Sequence, residues 1–273
     1  MEQDLWEARK KLLGGIRKTE SERGMPSRNK FHIGCSGWSY EGWVGKFYPA
    51  DLKPGEWLAY YARHFSTVEV NMSFYRFPFK NMLKGWYNKT PADFRFTLKA
   101  NRLITHVKKL KGTEELLASF YALADLLEEK LACILFQMPP SLRKDKDMKT
   151  LESFLKSLSP DHNNVIEFRH GSWFCQEVYD LLSAHEAIFC ILSAPNLPSD
   201  AVATGKIAYV RFHGTDSWYN YDYSEEELKE WAQQVKRLKM DCFAYFNNDV
   251  NAYAQSNALK LQLMLRPSSR QHQ

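Results

Sequence analysis

From residue 31 onward, short β-rich runs alternate with amphipathic stretches, and that alternation restricts the fold more than any other feature of the chain. The runs span residues 31–36, 67–71, 94–99, 132–137, 164–169, 187–192, 207–213 and 242–247. Strands separated by helical crossovers pair in parallel, because a parallel neighbour is reached only by a connection long enough to return along the sheet. Eight such units within about 240 residues predict an α/β protein of the (β/α)8 TIM-barrel class, as a single domain. The helices between them show the period of one buried face. Residues 114–129 align Leu116, Phe120, Leu123 and Leu127, the spacing of an apolar helical stripe. Ser224-Glu-Glu-Glu227 is a capping box that opens a helix carrying Leu228, Trp231, Val235 and Leu238. Residues 55–65, 80–88, 148–158 and 172–184 supply four more helices, and residues 252–265 close the barrel. The sixth connection, 193–206, holds Pro195, Pro198 and Gly205 and is expected to be irregular.

At 273 residues the chain fits one barrel. Residues 1–30 read as a basic N-terminal appendage, eight Lys/Arg against five Asp/Glu. A short helix is expected there before Gly14-Gly15, with partial disorder around it, and residues 266–273 form a C-terminal tail. No apolar run is long enough to span a bilayer, and the charged N-terminus lacks the apolar core of a signal peptide. The expected location is therefore cytoplasmic, with no membrane partner. Five scattered cysteines, with no pair at CxxC spacing, predict buried reduced thiols rather than a disulfide or a zinc site.

Barrel strands aim alternate residues at the axis. Val68 and Val70 are apolar and face the helices, so Glu69 and Asn71 face inward. The same parity turns Arg95, Thr97 and Lys99, Glu167 and Arg169, Tyr209, Arg211 and His213, and Tyr245 and Asn247 to the inside. Ser36 and Gln137 join them from the first and fourth strands. Polar and charged groups thus converge at the C-terminal ends of the strands, where barrel enzymes build their sites. Isolated buried charge is costly, so these groups require partners, water or a ligand. One reading is that they simply pair with one another; the other is a pocket.

As a pocket, the set offers Glu69, Glu167, His213 and Lys99 as catalytic candidates. Arg169 and Arg211 can grip a phosphate or carboxylate with paired N–H groups. Glu69 and Glu167 can serve as general acid and base, or with His213 and Asn247 as ligands of a divalent metal. Lys99 is a candidate for imine chemistry, favoured by nearby arginines and opposed by nearby glutamates. The residues specify no cofactor, a divalent metal being the one candidate, and no P-loop or GxGxxG follows a strand. Ser36, Trp38, Tyr40, Asn71, Tyr75, Arg76, His106, Gln137, Trp173 and Asn247 complete the expected substrate-binding set, several of them aromatic walls suited to sugars or bases. A basic stretch from Arg95 to Lys111, six Lys/Arg and no acid, could draw anions toward the mouth.

The strings GCSGWSYEGWVGKFYP (34–49), STVEVNMSFYRFP (66–78), FRFTLKANRLITH (94–106), LFQMPPSL (135–142), IEFRHGSW (166–173), YVRFHG (209–214) and YFNN (245–248) occur in order. Together they resemble domain-of-unknown-function family 72, also called YecE-like, over nearly everything beyond the appendage. Met72 or Ser73 stands where that family usually has Thr, and Cys35 where it has Thr or a similar small residue. The resemblance implies a (β/α)8 barrel, akin at the level of fold to divalent-metal phosphodiesterases and sugar isomerases. Three functions stay open: a hydrolase or lyase acting on an anionic, phosphate-bearing substrate; a carbohydrate-active enzyme using Glu69 and Glu167; or a non-catalytic protein that binds an anion or a nucleic acid.

Overall fold

A computed structural model describes residues 30–266; the expectations for residues 1–29 and 267–273 lie outside them. Eight parallel strands run in the order β1-β8-β7-β6-β5-β4-β3-β2. They are β1 (Phe31–Cys35), β2 (Thr67–Val70), β3 (Arg95–Lys99), β4 (Leu131–Gln137), β5 (Asn164–Glu167), β6 (Ile188–Ser193), β7 (Ala208–Phe212) and β8 (Cys242–Phe246). Each coincides with an expected run. Helices lie between the strands, except that the β6–β7 connection is irregular as expected. The result is a nearly closed (β/α)8 barrel.

The seam between β1 and β2 is closed by a side chain rather than a ladder. The Tyr61 hydroxyl, from helix Trp57–Tyr61, accepts from Cys35 N at 2.7 Å and donates to Thr67 O at 3.0 Å. Gly34 permits this approach, since a Cβ there would lie 2.2 Å from the Thr67 carbonyl oxygen.

Strand parity sorts the core as the alternation requires. Val68, Val70, Phe96, Leu98, Ile166, Phe168, Val210 and Phe212 pack outward against the helices. Inside, Cys133, Leu135, Val165, Cys190, Leu192, Tyr209, Phe243 and Tyr245 form a separate apolar plug. All five cysteines are free, and only Cys175 is not buried. The capping box forms, with Ser224 Oγ accepting from Glu227 N and Glu227 accepting from Ser224 N. Several helices differ from their expected spans: the one expected at 55–65 is Trp57–Tyr61, that at 148–158 runs Lys144–Lys156, and two others show a local cause. The third ends at Ala124 and tightens into a 3-10 stretch, Asp125–Lys130, in which Glu128 takes a positive φ of 48°. The one expected to start at 172 starts at Gln176, because Gly171–Trp173 is a separate turn capped by the His170 ring.

Candidate functional site

Above the apolar plug, at the C-terminal ends of the strands, lies a layer of charge organised by Arg211. Its Nη2 donates to Glu69 Oε1 at 2.6 Å and its Nη1 donates to Glu167 Oε2. Glu69 Oε2 accepts from the Tyr209 hydroxyl at 2.6 Å, and Glu167 Oε1 accepts from Arg169 Nε. One guanidinium from β7 therefore ties β2 to β5 across the barrel. The side chains of Glu69, Glu167, Arg211 and His213 are all 0% exposed. Below them, the Tyr245 hydroxyl is shared with Thr67 and Thr97 Oγ1 at 2.7 and 2.9 Å.

The electrostatics follow from this geometry. Burial would push the Glu167 carboxyl up, but Arg169 and Arg211 hold it well below the ordinary range. Burial would lower Arg211, yet Glu167 and Glu69 hold it firmly charged. Burial and the two arginines drive His213 well below its usual value, so its imidazole is neutral. Arg169 Nη2, a donor only, lies 3.2 Å from His213 Nε2. The other ring nitrogen, Nδ1, lies 3.3 Å from the Asn247 amide nitrogen, also a donor, so donors face the neutral ring on both sides.

A second layer sits on the first and reaches solvent. The Arg169 side chain is 10% exposed, and its guanidinium lies 4.5 Å from the centre of the Trp218 ring. Arg169 Nη1 makes no hydrogen bond among the described residues. Lys99, half-buried at the end of β3, places Nζ 4.3 Å from the centre of the Phe74 ring. Burial first, then Arg211, lowers its ammonium to about 7. His106 packs edge-on to the same ring at 4.9 Å; burial, Lys99 and Arg102 lower it to about 4. The exposed Arg102, Lys108, Lys109 and Lys111 of the β3 loop follow directly.

Other expected residues fall into three groups. Asn247 and Gln137 are half-buried at strand ends, Gln137 turning to donate to Met138 O at 2.7 Å. Trp38, Tyr40 and Asn71 line a cleft of about 290 Å³ beside the β1–β2 seam, walled by Met72, Met82 and Trp86. At its edge the Ser36 carbonyl accepts from Tyr40 at 2.6 Å and from Asn71 at 3.3 Å, while Ser36 Oγ is buried without a partner. The rest stand apart. Trp173 is buried outside the barrel, stacked on Phe168 at 4.8 Å and donating to Leu142 O. Tyr75 is 72% exposed, and the exposed Arg76 lies over Phe79.

Two expectations meet a physical obstacle. Among the described residues no three His, Cys, Asp or Glu side chains are disposed to hold a metal. The gap between Glu69 and Glu167 that a cation would fill is filled by Arg211, and His213 faces Arg169; the set does not fit a divalent ion. The carbohydrate scheme needs an acid and a base in contact with substrate. Both carboxylates are instead sealed and fully engaged, with Glu167 held ionised.

The parity reading overlooked Asp249. Its carboxyl lies beside the Tyr40 hydroxyl, and burial raises it above its ordinary range. It shares the inward parity of Tyr245 and Asn247, so extending that rule three residues past β8 finds it. Trp218, one of the aromatic residues expected after the seventh strand, lies against the Arg169 guanidinium.

The fold and this rim define a TIM-barrel protein whose mouth presents cations above a sealed carboxylate layer. The chain belongs to the family of proteins of unknown function DUF72, whose model matches residues 32–273. It is 29% identical over 269 residues to YunF of Bacillus subtilis, covering 86% of this chain and 94% of that one. It is also 29% identical over 229 residues to YecE of Escherichia coli K12, covering 75% and 80%. A solved DUF72 protein of Thermotoga maritima superposes with a TM-score of 0.80 at 34% identity, covering 87% of this chain and 99% of that one. Among the described residues no helix is long and apolar enough to cross a membrane.

Proposed function

We propose that the protein is a metal-independent enzyme of the hydrolase or lyase type that binds an anionic, phosphate-bearing substrate at the barrel mouth. The observation that carries this is the order of the two charge layers. Arg211 with Glu69 and Glu167 sums to −1, Arg169 brings the cluster to neutrality, and Lys99, lowered to about 7, adds a partial positive charge at neutral pH. The negative groups lie at the bottom and the positive ones at the top. An incoming ligand meets Arg169, with a free Nη1, and Lys99, while Glu167 and His213 fix the guanidinium from behind. A guanidinium held by its neighbours loses little freedom on gripping an oxyanion. The exposed lysines and arginine of the β3 loop favour approach of the same charge.

Titration with inorganic phosphate, read by the fluorescence of Trp218 beside Arg169, tests this reading. Saturable quenching that is lost in Arg169→Met is expected. No response in the wild-type chain, or an equal response in the variant, sinks it.

A further inference from the structure

We propose that Lys99 is an amine nucleophile that forms an imine with an aldehyde or ketone whose phosphate or carboxylate is held by Arg169. The inference rests on the anion-binding reading above and names its substrate class. A nucleophilic lysine needs a free electron pair, an open approach and no carboxylate holding its proton. Lys99 makes no salt bridge or hydrogen bond through Nζ among the described residues; its recorded neighbour is the face of Phe74. Its backbone is fixed at the end of β3, where its carbonyl accepts from Ser73 Oγ at 2.7 Å.

Glutamates in the same cavity would ordinarily keep such a lysine charged. Here Glu69 and Glu167 have spent their oxygens on Arg211, Tyr209 and Arg169. Burial, then the Arg211 and Arg169 guanidiniums, disfavour the ammonium and together outweigh Glu167 and Glu69, which favour it. The value near 7 agrees with this arrangement.

The step balances without a cofactor. The neutral amine attacks the carbonyl carbon, forming an N–C bond as the C=O pair moves onto oxygen. That oxygen takes a proton as nitrogen gives one up, leaving a carbinolamine; the oxygen then takes a second proton as nitrogen gives up its other, and the C–O bond breaks with departure of water. An amine and a carbonyl become an imine and water, with nothing oxidised or reduced. Protonated, the imine draws electrons from an adjacent bond, which is what a lyase of this substrate class requires.

The test uses the full wild-type chain, so no variant need fold. The protein is incubated near neutral pH with glycolaldehyde phosphate and cyanoborohydride, which reduces an imine to a stable secondary amine, and the labelled peptide is mapped by mass spectrometry. A lysine near 7 is about half free amine at that pH, against well under one part in a thousand for an ordinary one. Lys99 should therefore be labelled at least about tenfold faster than the surface lysines. Inorganic phosphate should suppress the labelling, and plain glycolaldehyde should label Lys99 about tenfold more slowly, the loss of one charge-assisted contact. Labelling of Lys99 no faster than the other lysines overturns the proposal, and equal trapping of the two aldehydes overturns its substrate class. Phosphate binding without trapping removes the imine alone; absence of phosphate binding removes the reading beneath it.

Discussion

Arg211 and Arg169 are both arginines at the C-terminal ends of barrel strands, and both contact Glu167, yet they stand in different surroundings. Arg211 is fully enclosed, with a carboxylate on either side. Arg169 shares one of those carboxylates, lies against Trp218 and reaches solvent. The lower cation neutralises charge the fold has already buried, and the upper one has capacity left over. Depth, rather than residue type, separates a sealed ion pair from a guanidinium with an unengaged donor here.

Removing the lower cation should have the largest effect. Arg211→Met leaves Glu69 and Glu167 buried and facing each other with one arginine fewer. Breaking a buried network by deleting one partner costs about 3–5 kcal/mol. A matching fall in the urea unfolding free energy is expected, and a loss under about 1 kcal/mol would show that water already reaches these carboxylates. Arg169→Met should invert the pattern. Its stability cost should be well below that of Arg211→Met, while phosphate affinity should fall about 10–100-fold, the equivalent of one or two charged hydrogen bonds. If both variants lose stability alike and bind phosphate alike, the two layers are one.

How far the sequence foretold this arrangement depends on the same distinction. Alternation of apolar and polar residues identified which side chains enter the barrel, because a one-residue slip would send Val68 and Val70 inward. It gave direction but not depth. Arg211 and Tyr209 lie two residues apart on β7, yet both reach Glu69, one from each side. The engagement of both carboxylates depends on side-chain reach, which strand parity does not encode. Trp173 misled because a residue just past a strand can fold back outside the barrel, where Phe168 offers a stacking face. The Tyr61 closure of the β1–β2 seam joins a helix to the strands that precede and follow it, and no apolar or polar alternation announces it.

Acid should distinguish the layers by titration. Burial first, with nearby cations, lowers His213 below its ordinary value, and burial likewise lowers His106 and His32. Below about pH 6.5 the unfolded chain binds protons these rings refuse, so stability falls as pH drops. Urea unfolding at pH 7 and pH 5 should differ by about 2 kcal/mol, mostly through His213, the fully enclosed ring. His213→Gln should remove the larger share of that slope and His106→Gln a smaller share, discounted because that ring is partly open to solvent. Glu167, held low, adds a further loss only below about pH 4, as it takes up a proton that the unfolded carboxyl binds more readily. A slope that survives His213→Gln intact would place the buried proton elsewhere.

Asp249→Asn should have the smallest effect and the opposite sign. Burial raises the Asp249 carboxyl beside Tyr40. A carboxyl raised in the folded state binds protons more tightly there than when unfolded. Stability on its account is therefore greatest in acid and falls as pH rises through its window. At neutral pH the folded chain carries the cost of that partly buried charge, and an isosteric amide removes it. Asp249→Asn should raise the unfolding free energy at pH 7 by about 0.5 kcal/mol and leave it unchanged near pH 3. A residue that the fold would be more stable without, set at the mouth beside a cleft, is held there by something other than folding. If the amide instead weakens the protein at pH 7, the carboxylate is part of the scaffold, and the chemistry of the mouth rests on Arg169 and Lys99 alone.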